Sequence, residues 1–448
     1  MTAADAPPPA GPVHLLVEHA AELVTLAGPP GRGPRRGPAQ AELGIIRDGA
    51  VAAGADGRII AVGPTDAVRA TTVLAPGAEV IDATGRAVLP GFVDPHTHLV
   101  FAGDRVDEFE QRLAGADYLA ILAAGGGILR TVRATRAADP AGLSRRAHAA
   151  LRAMLRHGTT TVEVKSGYGL TTAEELKLLR VVEGLRPSVN QTLVPTLLAA
   201  HAVPPEFADD PDGYVRVVCT ETIPAVAGAG LARFCDVFCE HGVFSVAQSR
   251  RVLEAGLAHG LPPKLHAEQQ SHTGGAALAA ALRAVSADHL DHATEEDLAR
   301  LAAAGTVAVF LPGAALMLRE AHPAPARQAV AAGVPVAVAT DFNPGTSPIL
   351  SMPLIIGLAC LRLGLSPAEA LVAATINAAY AVGEGERAGS LEPGKRADLV
   401  ILDAPSYRYL PYCFGLNLVD TVVQRGRVVV RHGRLVSEPL PAPSWVMA

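Results

Sequence analysis

The sequence contains few charged and few aromatic residues. Of its 448 residues, 18% are charged and 4% are aromatic, whereas 49% are hydrophobic. Such a chain can bury a large apolar core, and this excludes global disorder. Apolar runs are also short, because Pro, Gly or a charged residue interrupts each of them before it reaches the ~18 residues of a membrane-spanning helix. The sequence therefore predicts a folded protein with no membrane partner.

Cysteine and basic clusters are scarce as well. The five Cys residues form no C-x-x-C pair, so we expect free thiols and a reducing compartment. Lys and Arg number 38 against 44 Asp and Glu, and they are scattered apart from a short stretch at 32–36. This pattern predicts no nucleic-acid partner. The first residues lack the basic and apolar regions of a signal peptide, and we therefore expect a cytoplasmic location.

The distribution of strand-like and helix-like segments divides the chain. Residues 1–12 are rich in Ala and Pro and are expected to form a disordered tail. Short β-branched runs fill residues 13–88 and return in residues 385–448, so these two regions are predicted to pair into one small β-sandwich domain. Within the first of them, the Gly- and Pro-rich stretch at 28–40 is expected to be a loop without regular structure.

Residues 89–384 alternate between apolar strand-like runs and long helical segments. A strand followed by a helix, repeated, builds a parallel sheet. Polar residues recur at the C-terminal ends of the strands, where the active sites of barrels lie, which favours a closed (β/α)8 barrel over an open sheet. The predicted fold class is therefore α/β, a TIM-like catalytic barrel with a small β-sandwich domain. The predicted strands are Phe92–Asp94, Thr159–Lys165, 191–197, Phe234–Cys239, 263–267, Ser286–His289, 307–311 and 335–340.

Side chains at the ends of these strands predict a metal site. His96 and His98 follow the first strand, and side chains two residues apart on a strand point to the same side. His266 lies at the end of the fifth strand and Asp341 follows the eighth. Three imidazoles and one carboxylate suit one divalent ion such as Zn(II), Fe(II) or Mn(II), and leave a position open for water. An open position predicts a catalytic metal centre.

The end of the sixth strand offers an acid or a base. Asp288 and His289 are neighbours on that strand, so we expect only one of them to face the barrel mouth. His289 is favoured, as a proton-transferring group that does not bind the metal, because imidazole titrates near neutral pH. On the second strand, Glu163 and Lys165 are both expected to point inward.

Longer stretches of the sequence resemble one enzyme family. The histidines at 96 and 98, the later His266 and the C-terminal Asp341 are similar to the ligand set of the amidohydrolase superfamily. Within it the chain resembles the imidazolonepropionases, and the resemblance covers nearly all residues after Leu43. The stretches that carry it are DPHTHLVFAGDRVDEFEQRLAG (94–115), YLAILAAGGGILRTVRATR (118–136), GTTTVEVKSGYGL (158–170), AHAVPPEF (200–207), KLHAEQQSHTGG (264–275), SADHLDH (286–292), ATDFNPGTSP (339–348) and ADLVILDAPSYRYLPYCFGLN (397–417).

The resemblance implies a reaction. The four predicted ligands would hold one Zn or Fe ion, and a water activated by it would open the cyclic amide of 4-imidazolone-5-propanoate to N-formimidoyl-L-glutamate in histidine degradation. His289 or Asp341 would transfer the proton, and the choice between them stays open. The residues that match the family's substrate-contacting positions are Arg105, Tyr168, His201, Gln269, Asn343, Gly345 and Thr346.

Arg105 distinguishes between the remaining hypotheses on the function of the protein. The substrate has a propionate carboxylate, and a guanidinium binds a carboxylate with two parallel hydrogen bonds. A deaminase of neutral nucleobases would share the metal ligands but needs no such cation, and a non-enzymatic scaffold on the same barrel is a further alternative. The resemblance also allows a homodimer. It allows a modified Lys165 that bridges two ions as well, although an internal ion pair of Lys165 is the favoured interpretation.

Overall fold

The strands of the protein fall into three sheets, in a computed structural model that describes residues 11–28, 33–115 and 126–436. Most of the predicted disordered tail, residues 1–10, lies outside the described residues. In chain order the strands are β1 (Val13–Ala20), β2 (Glu22–Val24), β3 (Ile45–Ile46), β4 (Gly49–Ala53), β5 (Ile59–Pro64), β6 (Leu74–Asp82), β7 (Ala87–Pro90), β8 (Phe92–Asp94), β9 (Thr159–Lys165), β10 (Thr192–Ala200), β11 (Phe234–Cys239), β12 (Lys264–Ala267), β13 (Ser286–His289), β14 (Val307–Phe310), β15 (Val336–Val338), β16 (Leu399–Leu402), β17 (Val419–Gln424), β18 (Arg427–Arg431) and β19 (Arg434–Leu435).

Helices separate the strands in the middle of the chain. They are α1 (Thr65–Thr71), α2 (Val106–Leu113), α3 (Ile128–Ala137), α4 (Pro140–Arg156), α5 (Thr172–Leu185), α6 (Pro211–Val217), α7 (Ile223–Gly228), α8 (Val246–Ala258), α9 (Gly275–Ala281), α10 (Glu295–Ala304), α11 (Pro312–Leu318), α12 (Ala326–Ala331), α13 (Met352–Leu363), α14 (Pro367–Ala373), α15 (Ile376–Ala381) and α16 (Tyr409–Tyr412). Short 3-10 helices span Gly37–Ala41, Arg186–Ser188 and Pro205–Phe207, and a π-helical turn spans Val218–Thr222.

Helix α4 shows how the sequence specifies these elements. Asp139 caps its N-terminus, because the side chain accepts a hydrogen bond from the backbone N–H of Gly142. Apolar side chains recur on one face and are buried there, at Leu143, Ala147, Ala150, Leu151 and Met154. No helix in the described part of the chain is long and apolar enough to cross a membrane.

Strands β8 to β15 form one parallel sheet in chain order. Every residue of β9 is buried, and burial on both faces is typical of a parallel sheet whose outer face is covered by helices. Together with the helices between the strands, this sheet is the (β/α)8 barrel that the sequence predicts. The predicted α/β fold class is therefore confirmed.

The bounds of the observed barrel strands agree closely with most of the predicted bounds. Strands β8, β9, β11 and β13 have the predicted bounds, whereas β10 continues to Ala200 and β15 is shorter than predicted. The expectation of an irregular loop at 28–40, of which residues 29–32 lie outside the described residues, is wrong at its end, because positions 37–40 belong to the 3-10 helix Gly37–Ala41. This helix is ordered because the buried Gln40 amide exchanges two hydrogen bonds with the backbone of Val336, at 3.3 and 3.2 Å.

The barrel closes at a seam between β15 and β8, which do not pair as neighbours in the described sheet. Across this seam the backbone N–H and the hydroxyl of Thr340 donate to the two carboxylate oxygens of buried Asp94, at 3.1 and 2.5 Å. Just beyond it, the N–H of Asp341 donates to the carbonyl of His96 at 3.0 Å. The seam thus fixes the first strand end against the last.

Two further sheets combine both ends of the chain. One has the order β5-β4-β1-β6, and the other has the order β19-β18-β17-β16-β7-β2-β3. In the second, β7 pairs in parallel with β2 and antiparallel with β16. Side chains from both sheets share one buried cluster, which includes Leu15, Val51, Leu399, Ile401 and Val423. This arrangement fits the small domain, while the boundaries at 13–88, 89–384 and 385–448 stay a prediction.

The variant Thr340→Val tests the seam. It removes the hydroxyl that donates to Asp94 and leaves a buried carboxylate oxygen without this partner. We expect the free energy of unfolding to fall by about 1–3 kcal/mol, the usual cost of an unsatisfied buried polar group. Urea unfolding followed by circular dichroism measures this loss. Thr220→Val is the matched control, because the exposed Thr220 hydroxyl donates to the carbonyl of Arg216 one turn earlier and does not contact the seam within the described structure. Equal losses in the two variants would contradict the prediction.

Candidate metal centre and active site

The candidate metal ligands begin directly after β8. His96 and His98 are 0% and 3% exposed, and their ring centres are 5.4 Å apart. Asp341 reaches them from the segment after β15, across the seam of the barrel. Its Oδ1 lies 3.5 Å from Nε2 of His96 and 3.5 Å from Nε2 of His98.

His266 completes the predicted set from β12. Its ring centre lies 4.5 Å from that of His96 and 5.6 Å from that of His98. These side chains converge because the C-terminal ends of parallel barrel strands meet at one face. The structure therefore brings together the four side chains that the sequence selects as metal ligands.

The hydrogen bonds of these histidines leave nitrogen atoms available for an ion. Nδ1 of His96 pairs with Oδ2 of Asp288 at 2.6 Å, whereas its Nε2 is buried without a hydrogen-bond partner among the described residues. Both ring nitrogens of His266 are buried without a hydrogen-bond partner within that part of the chain, although Nδ1 lies only 3.1 Å from Oδ2 of Asp236. Burial lowers the pKa of His96 and of His98, so both rings are neutral near pH 7. Neutral, buried imidazoles beside a carboxylate fit a divalent cation.

The end of β13 brings one of its two candidate side chains to the cavity at the barrel mouth. His289 lines this cavity, as expected, whereas Asp288 does not line it and pairs with Nδ1 of His96 at 2.6 Å. The backbone of His289 is left-handed at this point, with a φ of 77°. Nitrogens of His96, His266 and His289 also lie within metal-ligand spacing of one another.

A cavity of about 260 Å³ opens above this cluster. His98, His266, His289 and Asp341 line it, and so do six of the seven predicted substrate-contacting residues: Arg105, Tyr168, His201, Gln269, Asn343 and Thr346. Gly345 does not line the cavity but lies against the Arg105 guanidinium, where a Cβ atom would collide with Nη1. The sequence did not single out the apolar lining, which includes Ile128, Leu129, Val203 and Phe238, because apolar side chains carry no signal that separates a cavity wall from a core.

Arg105 is held in a defined position beside the cavity. Its Nε donates to Oε2 of Glu108 at 2.7 Å, and the side chain is only 10% exposed. The other oxygen of Glu108 accepts a hydrogen bond from the backbone N–H of Gly127 at 3.0 Å. The guanidinium is therefore oriented by a carboxylate that is itself anchored.

Neutral groups form the wall next to His98. The His201 ring stacks on the His98 ring with centres 4.8 Å apart, and its Nδ1 lies at hydrogen-bond distance, 3.1 Å, from the carbonyl of Gly167. Burial lowers the pKa of His201 to about 3 and raises the pKa of Tyr168. Both side chains are therefore uncharged near pH 7, and they offer the cavity hydrogen-bonding atoms and ring faces rather than charge.

The Asn343 side chain shapes the turn after β15. Its Oδ1 accepts hydrogen bonds from the N–H groups of Gly345 and Thr346, each at 2.8 Å, and its Nδ2 donates to the carbonyl of Asp341 at 2.7 Å. This turn connects a candidate metal ligand to Thr346 on the cavity wall. A displacement of Asn343 would therefore move both.

Buried charges lie beneath the candidate ligands. Nζ of Lys165 lies 2.8 Å from Oε1 of Glu163 and 2.7 Å from Oδ2 of Asp236. Burial opposes a charge here, but Asp236 and Glu163 raise the pKa of Lys165, so it is an ammonium in the internal ion pair that the sequence favours. Asp236 is not among the predicted site residues. The carboxylate inside the apolar run FCDVFC is the sequence feature that indicates a buried, paired charge at this position.

Comparison with known proteins agrees with this geometry. A model of the amidohydrolase family matches residues 87–429. Imidazolonepropionase of Symbiobacterium thermophilum is 55% identical over 425 residues, which cover 95% of this chain and 99% of that protein. Imidazolonepropionase of Geobacillus kaustophilus is 50% identical over 422 residues, which cover 94% and 99% of the two chains. The chain belongs to the imidazolonepropionases of the amidohydrolase family.

Solved structures place this amidohydrolase in the same fold as more distant enzymes. An adenosine deaminase from Xanthomonas campestris with bound zinc has a TM-score of 0.70 and 23% sequence identity, and the match covers 96% of each chain. N-isopropylammelide isopropylaminohydrolase from Burkholderia multivorans has a TM-score of 0.66 and 22% identity over 94% of this chain and 99% of the other. At such low identity these structures show the shared barrel alone.

Acid should destabilise the metal-free amidohydrolase through His201. Its pKa of about 3 lies below the usual value of about 6.5, so between these values the unfolded chain binds a proton that the folded protein does not. Stability should therefore fall as the pH drops through that window, by about 1.4 kcal/mol per pH unit for this group. Urea unfolding between about pH 4 and about pH 6 measures the slope, which should be smaller by about one proton at the acidic end in His201→Asn. Equal slopes in wild type and variant would contradict the prediction.

Proposed function

We propose that this amidohydrolase hydrolyses the cyclic amide bond of 4-imidazolone-5-propanoate and releases N-formimidoyl-L-glutamate in histidine degradation. The observation that carries the proposal is that the Arg105 guanidinium and the buried His/Asp cluster belong to one cavity. The cluster offers hydrolytic chemistry, and the guanidinium selects a small substrate with a carboxylate. The identity of 55% to a relative named imidazolonepropionase supports the same assignment.

The proposed resident cofactor is one zinc or iron ion, held by His96, His98, His266 and Asp341. When bound, such an ion polarises a carbonyl oxygen and lowers the pKa of water, which is the chemistry that amide hydrolysis requires. His98, His266 and Asp341 face the cavity, whereas His96 is fully buried behind them. The reacting amide of the substrate would therefore lie against His98, His266 and Asp341.

Asp341 and His289 are proposed to transfer protons and to bind the reacting carbonyl. Asp341 faces the cavity beside the candidate ligand histidines, so its carboxylate is placed to accept a proton from a water bound there. In this mechanism Asp341 accepts a proton from the attacking water and returns it to the ring nitrogen as the C–N bond breaks. Burial lowers the pKa of His289, so its neutral ring donates a hydrogen bond to the carbonyl oxygen.

Arg105 is proposed to bind the propionate of the substrate. Its Nε donates a hydrogen bond to Glu108, and this contact fixes the orientation of the guanidinium plane. A fixed guanidinium can hold a carboxylate by two parallel hydrogen bonds and so align the ring with the metal ligands. The polar side chains proposed to contact the imidazolone and its propionate are Tyr168, His201, Gln269, Asn343 and Thr346, whereas Gly345 leaves room for the Arg105 guanidinium.

Two alternatives define what the experiments must exclude. A nucleobase-type deaminase would use the same ligand set, but a neutral base would leave the charge of Arg105 without a partner on the substrate. A non-enzymatic scaffold would have no need for buried, unpartnered imidazoles. The homodimer, the absence of a nucleic-acid partner and the cytoplasmic location stay predictions from the sequence.

A direct assay tests the proposed reaction. Purified protein, with its metal content measured by atomic emission, is mixed with 4-imidazolone-5-propanoate, and the loss of the substrate's ultraviolet absorbance is followed. We expect turnover in the wild type and a loss of at least about 100-fold in His266→Ala, because the variant lacks one metal ligand. Deamination of adenine or cytosine without turnover of the imidazolone would favour the first alternative, and protein without bound divalent metal would favour the second.

The role of Arg105 predicts a separation of kinetic effects. Arg105→Met should raise KM about 100-fold with a smaller change in kcat, because the carboxylate contact is made in the ground state and the transition state alike. Gly345→Ala should raise KM about 10-fold by pushing Nη1 of Arg105 aside. Gly184→Ala is the matched control, because a Cβ there meets nothing within 4 Å. An unchanged KM in Arg105→Met would contradict the proposed substrate.

A further inference from the structure

A group of five charged side chains lies inside the barrel beneath the candidate metal ligands, and none of them is exposed to solvent. We call this group the buried charge cluster; its members are Glu163, Lys165, Asp236, Lys264 and Asp288. Lys165 contacts all three carboxylates, since its Nζ lies 2.8 Å from Glu163 Oε1, 2.7 Å from Asp236 Oδ2 and 3.4 Å from Asp288 Oδ2.

Two of these carboxylates also contact candidate metal ligands. Oδ2 of Asp288 pairs with Nδ1 of His96 at 2.6 Å, and Oδ2 of Asp236 lies 3.1 Å from Nδ1 of His266. In both cases the oxygen that faces the imidazole is the oxygen that faces Lys165. One ammonium therefore contacts both oxygens that orient ligand rings.

Removal of this ammonium would change both contacts. Two carboxylates buried close together repel one another, and each is costly to bury without a cation. Without Lys165, Asp236 and Asp288 would move apart, and this would alter the contact between Asp236 and His266 as well as the hydrogen bond between Asp288 and His96. A histidine that binds a metal through one nitrogen depends on such a bond at the other nitrogen for its tautomer and its ring orientation.

We propose that Lys165 is a positioning residue, which holds Asp236 and Asp288 in place and through them orients His266 and His96 for a divalent metal ion. This inference rests on the proposed metal site and goes beyond it, since Lys165 contacts neither the ion's ligands nor the cavity. The remaining members of the buried charge cluster have a different position. Glu163 contacts Lys165, Lys264 and the Thr196 hydroxyl, and none of its hydrogen bonds or ion pairs within the described structure is to a histidine.

Zinc affinity of the metal-stripped protein tests the proposal. Lys165→Met should weaken zinc binding about 10- to 100-fold, measured by competition with a chromophoric chelator. Glu163→Gln, a change in the same cluster at equal burial, should alter the affinity less than about 3-fold, because it contacts no ligand histidine. The visible spectrum of the Co(II)-loaded protein gives a second readout, and we expect altered bands in Lys165→Met but not in Glu163→Gln.

The double variant Lys165→Met/Glu163→Gln separates positioning from charge balance. It removes one cation and one anion, so the net charge of the buried charge cluster equals that of the wild type. If Lys165 positions the two aspartates, zinc affinity stays as low as in Lys165→Met; recovery of wild-type affinity would overturn the proposal. The double variant also carries the test if circular dichroism shows that the single variant does not fold. The titration uses no organic substrate, so a failure of the proposed hydrolysis and a failure of this inference are distinguishable.

Discussion

The pairing of buried charges inside the barrel is the constraint on which the rest of the site depends. A carboxylate or an ammonium in the core is costly unless an opposite charge and hydrogen bonds compensate it. Here the partners come from different strands, β9, β11 and β13, so compensation requires these strands to hold one register. The ladder between β12 and β13 sets His266 opposite Asp288 and thereby places a candidate ligand beside the carboxylates that support it.

The topology of the barrel brings the ends of these aligned strands together at one face, where they form the site. Parallel strands deliver their last residues to one face, and the link between Asp94 and Thr340 joins the first strand end to the last. Asp341 can therefore meet His96 although 245 positions of sequence separate them. The loops add what the strands cannot: an oriented guanidinium from the segment after β8, and a turn fixed by Asn343 from the segment after β15.

Most of the fold and the main elements of the site could be predicted from the sequence, because their signals are local. The two-residue spacing of His96 and His98 predicts that both side chains point to the same side of an extended segment. The alternation of strands and helices predicts the barrel. The contact between Asp288 and His96 could not be predicted, since it joins side chains 192 positions apart in the sequence. The contacts of Asp236 and Lys165 were equally hidden, because the lateral register of strands far apart in sequence decides them. The contact between Gly345 and Arg105 could not be predicted for the same reason, because the two residues are far apart in the sequence.

The pairing of β7 with strands from both ends of the chain has a consequence for the order in which the protein forms during synthesis. Strand β7 leaves the ribosome early, but its antiparallel neighbour β16 follows only after the whole barrel has been translated. Until then one edge of β7 presents unpaired backbone groups, which is a hazard for association with other nascent chains. Completion of the seven-stranded sheet is therefore a late, long-range step, and it joins the two ends of the polypeptide only once the segment between them is available to fold.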